Sequence, residues 1–305
     1  MSYQSPAIEL AGLAKSYGPV RALRGVDLQV ERGEVFGFLG PNGAGKTTTI
    51  RCMLDLIRPD GGTIRALGLD PQAQPVAVQA RVGYLPGELN LEPNLRVRQM
   101  LRYLGALRGN RINWGHVAEL SRQLQLDLDT PVKNLSKGNK QKVGIVQALM
   151  ARPELLLLDE PTSGLDPLIQ QAVYRLLRQA QDGGATIFFS SHVISEVEVL
   201  ASRVAIIRHG RIVETLEPRQ LLQMTSRRLR LRFARPADAS ALGELAGVSQ
   251  FAQPDPLEAS LVVEGAMDRL IVALAGLPVA DLQTEHPSLE ELFLTYYRDD
   301  GEEVA

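Results

Sequence analysis

The sequence predicts an α/β core around a mixed, largely parallel sheet with an inserted helical subdomain, followed by a small α+β domain of ferredoxin-like pattern. Three observations carry this. The apolar run Val35-Phe36-Gly37-Phe38-Leu39 feeds a glycine-rich loop, Gly40-Pro41-Asn42-Gly43-Ala44-Gly45-Lys46-Thr47, that opens a helix. Strand and helix patterns then alternate, as they do around a parallel sheet. Beyond residue 218 the order becomes β-α-β-β-α-β.

The bulk numbers fit this plan. A chain of 305 residues can bury the cores of two domains. A formal net charge of -2 lacks the basic excess of a chain built to coat nucleic acid. Cys52 is the one cysteine, which excludes an internal disulfide framework and a cysteine-built zinc site, and suits a reducing cytosol. The start, Met1 to Pro6, has no basic region followed by an apolar core, so no signal peptide is expected. No uninterrupted apolar stretch of about twenty residues occurs, so any action at a membrane would pass through a partner.

Residues 7–39 read as short strands and turns, and 46–57 as a helix stopped by Arg58-Pro59-Asp60-Gly61-Gly62. Residues 94–126 carry helical spacing, with Leu95, Val97, Leu101, Leu104 and Leu107, then Val117, Leu120, Leu124 and Leu126. The Leu-rich spacing in 95–107 is read as core rather than as a partner groove. A further helix over 138–151 stops at Arg152-Pro153. Leu155 to Leu158 is a continuous apolar run, the signature of a parallel strand covered on both faces. A helix (167–181), a strand (185–190), a helix (193–201) and a strand pair (203–214, turning at His209-Gly210) complete the core.

The first domain is placed at 7–217, with its helical subdomain at about 88–152, and the second at 218–305. Glu217-Pro218 opens a short helix. The second domain then reads as strand (227–234), helix (237–246), strands (247–252 and 258–264), helix (266–276) and strand (279–285). Ser288-Leu289-Glu290-Glu291 reads as a capping box opening a last helix. Arg227, Arg228, Arg230, Arg232 and Arg235 are read as the solvated face of a strand, in preference to a contact with lipid head groups or a partner.

The loop carries the chemistry. Its glycines let successive N–H groups converge on one anion, and the following helix adds its positive dipole end. Lys46 can reach the outer phosphates of a nucleoside triphosphate, and the Thr47 hydroxyl can ligate Mg²⁺. Asp159 emerges at the end of the 155–158 strand, where α/β sheets place ligands, and can hold Mg²⁺ directly or through water. Glu160, next in line, is placed to polarise water. Asn134 to Lys142 forms a glycine-containing turn opening a helix with no acidic residue in its first turn, which suits a phosphate partner. Pro161-Thr162-Ser163-Gly164-Leu165-Asp166 and Ser190-Ser191-His192 follow.

In this order the motifs make residues 7–217 resemble the ATP-binding subunit of an ATP-binding-cassette (ABC) transporter, with a P-loop ABC-type ATPase fold. The resemblance implies roles. Tyr17 would stack on adenine, and Gly40, Pro41, Asn42, Gly43, Ala44, Gly45, Lys46, Thr47 and Thr48 would wrap the phosphates of ATP. Thr47 and Asp159 would hold Mg²⁺. Glu160 would act on the attacking water, and His192 would hold the γ-phosphate and that water. Ser136, Gly138 and Asn139 would contact ATP held by the opposite subunit, and Asp166 would organise the dimer-facing loop.

Two departures from the family pattern stand out. The signature, usually L-S-G-G-Q, is Leu135-Ser136-Lys137-Gly138-Asn139, and the glutamine expected after Val82-Gly83-Tyr84-Leu85-Pro86 is Gly87. Gly87 has no side-chain ligand, so Glu88 or water would substitute at the metal. Both variants, and the tail ending Ser288-Leu289-Glu290-Glu291-Leu292-Phe293, resemble cassettes that serve separate export permeases for drugs, antibiotics or lipids. The implied partners are an integral-membrane permease and a second copy or paralogous cassette, with no nucleic acid. The implied location is cytoplasmic, peripheral on the inner face of the membrane. The competing expectation, a soluble cassette acting on nucleic acid or ribosomes, is disfavoured by the single cassette and single cysteine.

Overall fold

Strand β3 (Val35–Leu39) shows how the sequence builds the core: all five residues are buried, so both faces are covered and no alternation is needed. The computed structural model describes residues 5–108, 112–218, 226–264 and 267–285. The chain divides into two compact units, Met1–Leu216 and Glu217–Ala305.

In the first unit, β1 (Ile8–Tyr17) and β2 (Val20–Val30) pair antiparallel, and β4 (Gly61–Ala66) joins the other edge of β1, giving the order β2-β1-β4. The second sheet runs β5-β6-β7-β3-β8-β9, from β5 (Val82–Leu85), β6 (Leu155–Asp159), β7 (Thr186–Ser191), β8 (Arg203–Arg208) and β9 (Arg211–Leu216). Its first five strands are parallel, and β9 returns antiparallel after the turn at His209-Gly210. One apolar core joins the two sheets through Ile8, Val26, Ile50, Ile64, Leu155 and Leu157. Phe36 stacks on Phe188 within it, with ring centroids 5.9 Å apart.

Helix α1 (Lys46–Met53) follows β3 directly. It ends four residues short of the expected 57: Asp55 turns left-handed at φ 53°, and the N–H groups of Leu56 and Ile57 fold back onto the Arg51 carbonyl. Helix α2 (Pro75–Arg81) leads into β5. The block at 94–126 divides into α3 (Val97–Leu107) and α4 (Trp114–Gln123). Asn113 caps α4, its side-chain oxygen accepting from Gly115 N at 2.9 Å. Helices α5 (Lys137–Leu149), α6 (Pro167–Asp182) and α7 (Ile194–Leu200) complete the unit.

The second unit carries β10 (Ser226–Phe233), β11 (Val248–Asp255), β12 (Glu258–Glu264), α8 (Asp268–Leu274) and β13 (Val279–Glu285). The sheet order is β11-β12-β10-β13, antiparallel throughout. Leu229, Leu231 and Phe233 point into its core while Arg228, Arg230 and Arg232 stay exposed, the alternation of a half-covered sheet. The expected helix at 237–246 is reduced to a 3-10 turn, Ser240–Glu244. The Asp238 carboxylate accepts from Ser240 N at 2.9 Å, and this local turn competes with helix initiation. The helix expected at 217–218 runs into residues outside the described ones, as does the helix opened at Ser288.

Candidate active site

The loop between β3 and α1 is shaped by backbone that only glycine accommodates. Gly45, at the helix N-terminus, has φ 113°, and a Cβ there would lie 2.7 Å from the Ala22 carbonyl oxygen. This close approach brings the first N–H groups of α1 to the mouth of a cavity of about 150 Å³, lined by Ala22, Asn42, Lys46, Thr47 and Glu160 among others. The Lys46 ammonium, only 5% exposed, folds over the loop and donates to the carbonyls of Gly40 (2.6 Å) and Pro41 (3.0 Å). Burial lowers its pKa, and the charges of Glu160 and Asp159 oppose that shift.

Strand β6 delivers the acids. Thr47 Oγ1 donates to Asp159 Oδ2 at 2.7 Å, and Ser190 Oγ donates to Asp159 Oδ1 at 2.5 Å. The Thr47–Asp159 pair is therefore assembled as oxygen donors, the set a hard divalent cation takes. Glu160 follows in a left-handed conformation at φ 50°, its N–H bound by the Ser190 hydroxyl (3.1 Å) and carbonyl (3.2 Å). Its Oε1 lies 3.0 Å from His192 Nδ1 and 3.9 Å from Lys46 Nζ. One carboxylate thus stands between the loop cation and the histidine.

The signature residues open α5. Ser136 caps it, Oγ accepting from Asn139 N at 3.2 Å. Gly138 is pressed against the turn after β6, where a Cβ would lie 2.8 Å from the Gly164 carbonyl oxygen. Asp166 caps α6 by accepting from Ile169 N at 3.0 Å. The contacts above link Lys46, Thr47, Asp159, Glu160 and His192 in one chain, whereas Ser136, Gly138, Asn139 and Asp166 do not line the loop cavity. Tyr17 ends β1 at 47% exposure, with the Lys15 ammonium 5.8 Å from its ring centroid, and it does not line the loop cavity. Gly87 lies against Asp159, where a Cβ would be 3.1 Å from Oδ2, while Glu88 is exposed and the Asp159 oxygens accept from Thr47 and Ser190.

Sequence reasoning missed two supports. Buried Gln141 donates from Nε2 to the carbonyls of Glu160 (2.9 Å) and Pro161 (3.0 Å), tying α5 to the end of β6. Ser190 braces both Asp159 and Glu160. A glutamine on the apolar face of a helix start was the available signal for the first.

Comparison with known proteins agrees with this geometry. The family model described as "ABC transporter" matches residues 23–163. The chain is 34% identical to the daunorubicin/doxorubicin resistance ATP-binding protein DrrA of Streptomyces peucetius, over 93% of this chain and 97% of that protein. It is 38% identical to the bacitracin transport ATP-binding protein BcrA of Bacillus licheniformis, over 70% of each chain. It is also 38% identical to the Nod factor export ATP-binding protein I of Paraburkholderia xenovorans, over 71% of this chain and 72% of that protein. A solved ATP-binding subunit of an ABC transporter superposes with a TM-score of 0.65 at 29% identity, covering 71% of this chain and 92% of that one. With its phosphate loop, its two consecutive acids and its histidine held at the carboxyl ends of the neighbouring strands β3, β6 and β7, this chain belongs to the ATP-binding, ATP-hydrolysing subunits of ABC transporters.

Proposed function

We propose that the chain is the ATPase of an exporter: it binds Mg-ATP, closes over it as a dimer and drives a drug-, antibiotic- or lipid-like substrate through a separate integral-membrane permease. The observation that carries the reading is Glu160, poised 3.0 Å from His192 and 3.9 Å from Lys46 at the mouth of the loop. The variant signature around Lys137, Gly87 in place of a glutamine, and relatives named for drug resistance, bacitracin transport and Nod factor export support the exporter assignment.

The residues divide the work. The N–H groups of the loop and the α1 N-terminus bind the phosphates, and Lys46 exchanges its carbonyl contacts for phosphate oxygens. Thr47 and Asp159 are the oxygen pair that would hold Mg²⁺, which supplies positive charge against phosphate oxygens when bound. Glu160 orients the attacking water and takes its proton, while His192 holds Glu160 and the outer phosphate in register. Tyr17 receives the adenine. Ser136, Gly138, Asn139 and Asp166 act on the nucleotide of a second subunit, either a copy of this chain or a paralogue. The helical block at about 88–152 meets the permease, and residues 218–305 form an accessory domain. The chain works at the cytoplasmic face of the membrane, and among the described residues no helix is long and apolar enough to cross it.

Purification of the tagged full-length chain from detergent-solubilised membranes tests this. The expected result is an integral-membrane protein co-purifying with an ATPase activity that falls when Lys46 is replaced by Ala. A chain recovered wholly without membrane protein, with ATPase stimulated by RNA, would overturn the transporter reading.

A further inference from the structure

Glu196 is a carboxylate that the hydrolytic scheme above leaves unused, and it is only 7% exposed. It sits in the first turn of α7, four residues after His192. Its Oε2 accepts from Ser191 Oγ at 2.7 Å, and its Oε1 accepts from Thr162 Oγ1. Both oxygens are taken by buried hydroxyls from two separate segments. Ser191 precedes the histidine, and its carbonyl accepts from Gly40 N, the first residue of the phosphate loop, at 3.2 Å. Its hydroxyl also receives the N–H of Val193 at 2.9 Å, so Ser191 brackets His192. Thr162 begins the turn after Glu160: its carbonyl accepts from Leu165 N at 3.1 Å, the turn ends at the α6 cap Asp166, and its Gly164 carbonyl abuts Gly138.

A carboxylate this deep is costly to bury, and it persists where its hydrogen bonds are fully made. Hydrophobic packing alone would be served by leucine. What a two-oxygen acceptor adds is a fixed tie between two hydroxyls on different segments. We propose that Glu196 is a positioning residue that locks the His192 loop to the 162–166 turn, so that occupancy of the phosphate loop is transmitted to the surface that engages the second subunit. It touches neither nucleotide nor water, and acts through Ser191 and Thr162. The inference rests on the composite-site reading given above.

The test uses the full chain in a Glu160→Gln background, where hydrolysis is blocked, and measures ATP affinity with a fluorescent ATP analogue and ATP-driven self-association by sedimentation. Glu196→Leu removes both acceptors at nearly constant volume. It is expected to leave ATP affinity within about threefold while raising the protein concentration needed for ATP-driven association by about tenfold or more, the scale of a lost charged hydrogen bond. Glu196→Gln, whose amide can meet both rotatable hydroxyls, is expected to restore association to within about threefold. Thr162→Val breaks the same tie from the turn side and should reproduce the defect should the leucine variant fail to fold. A merely structural Glu196 would lower thermal stability and ATP affinity together and leave the two steps coupled. Normal ATP-driven association in either Glu196→Leu or Thr162→Val overturns the inference. Absence of ATP-driven association in the Glu160→Gln chain itself overturns the composite site, and this inference with it.

Discussion

The Thr47 hydroxyl donates to the Asp159 carboxylate at 2.7 Å across 112 residues of chain, joining the start of α1 to the end of β6. Asp159→Asn keeps a carbonyl to accept this bond but removes the charge. ATPase activity is expected to fall about a hundredfold, with a higher Mg²⁺ concentration needed for half-maximal rate. A Mg²⁺ titration of the rate checks this, and an unchanged half-maximal concentration would contradict the placement of the metal.

Glu160→Gln should retain ATP binding and lose about a thousandfold in turnover, since the amide cannot take the water's proton. Because the Gln oxygen can still accept from His192, the local geometry is kept and the loss isolates proton transfer. Single-turnover hydrolysis at saturating ATP reads it out; turnover within about tenfold of the unaltered chain would remove Glu160 from the role of base.

Two glycines of the loop should respond differently to the same methyl group. At Gly45, φ 113° is combined with a Cβ contact of 2.7 Å to the Ala22 carbonyl oxygen. Gly43 has φ 80° with nothing within 4 Å. Gly45→Ala is expected to destabilise by about 2–3 kcal/mol and Gly43→Ala by about 1 kcal/mol, as backbone strain plus overlap exceeds strain alone. Urea unfolding of both variants gives the comparison, and equal losses would mean that the Ala22 segment yields freely.

Burial raises the Cys52 thiol to about 11. The folded state therefore holds the proton more tightly than the unfolded chain, whose thiol titrates at about 8.5. The contribution is fully present below that pH and is lost as pH rises toward about 11. Cys52→Ala should flatten part of the fall in Tm between about pH 8 and 11, measured against the unaltered chain to subtract the lysines and tyrosines. Parallel curves for the two proteins would refute it.

Much of the site was legible because its motifs are local. Gly40 to Thr47, Leu155 to Glu160 and Ser190 to His192 each compress strand end, turn and reactive group into a few residues, so spacing alone reports geometry. The supports were not legible for the opposite reason. Gln141 meets Glu160 across 19 residues, Ser190 meets Asp159 across 31, and Glu196 meets Thr162 across 34, and no local pattern encodes such pairs. In the fold, β4 escaped because it begins with Gly61-Gly62, which read as a helix stop, and only Ile64 and Ala66 of it are buried. The reduction of the 237–246 helix was hidden in the Asp238 side chain, whose bond to the backbone outweighs a short helical pattern.

Lys46 donates to the Gly40 and Pro41 carbonyls of its own loop. The loop is thus its own resident ligand, and an entering anion has to outbid two carbonyls tethered at permanent high local concentration. A lone phosphate offers fewer oxygens to the loop amides than a polyphosphate chain does, so the polyphosphate is expected to displace the carbonyls more readily. The expected consequence is a threshold that sorts anions by length: inorganic phosphate should fail to shield Lys46 from chemical acylation where ATP succeeds.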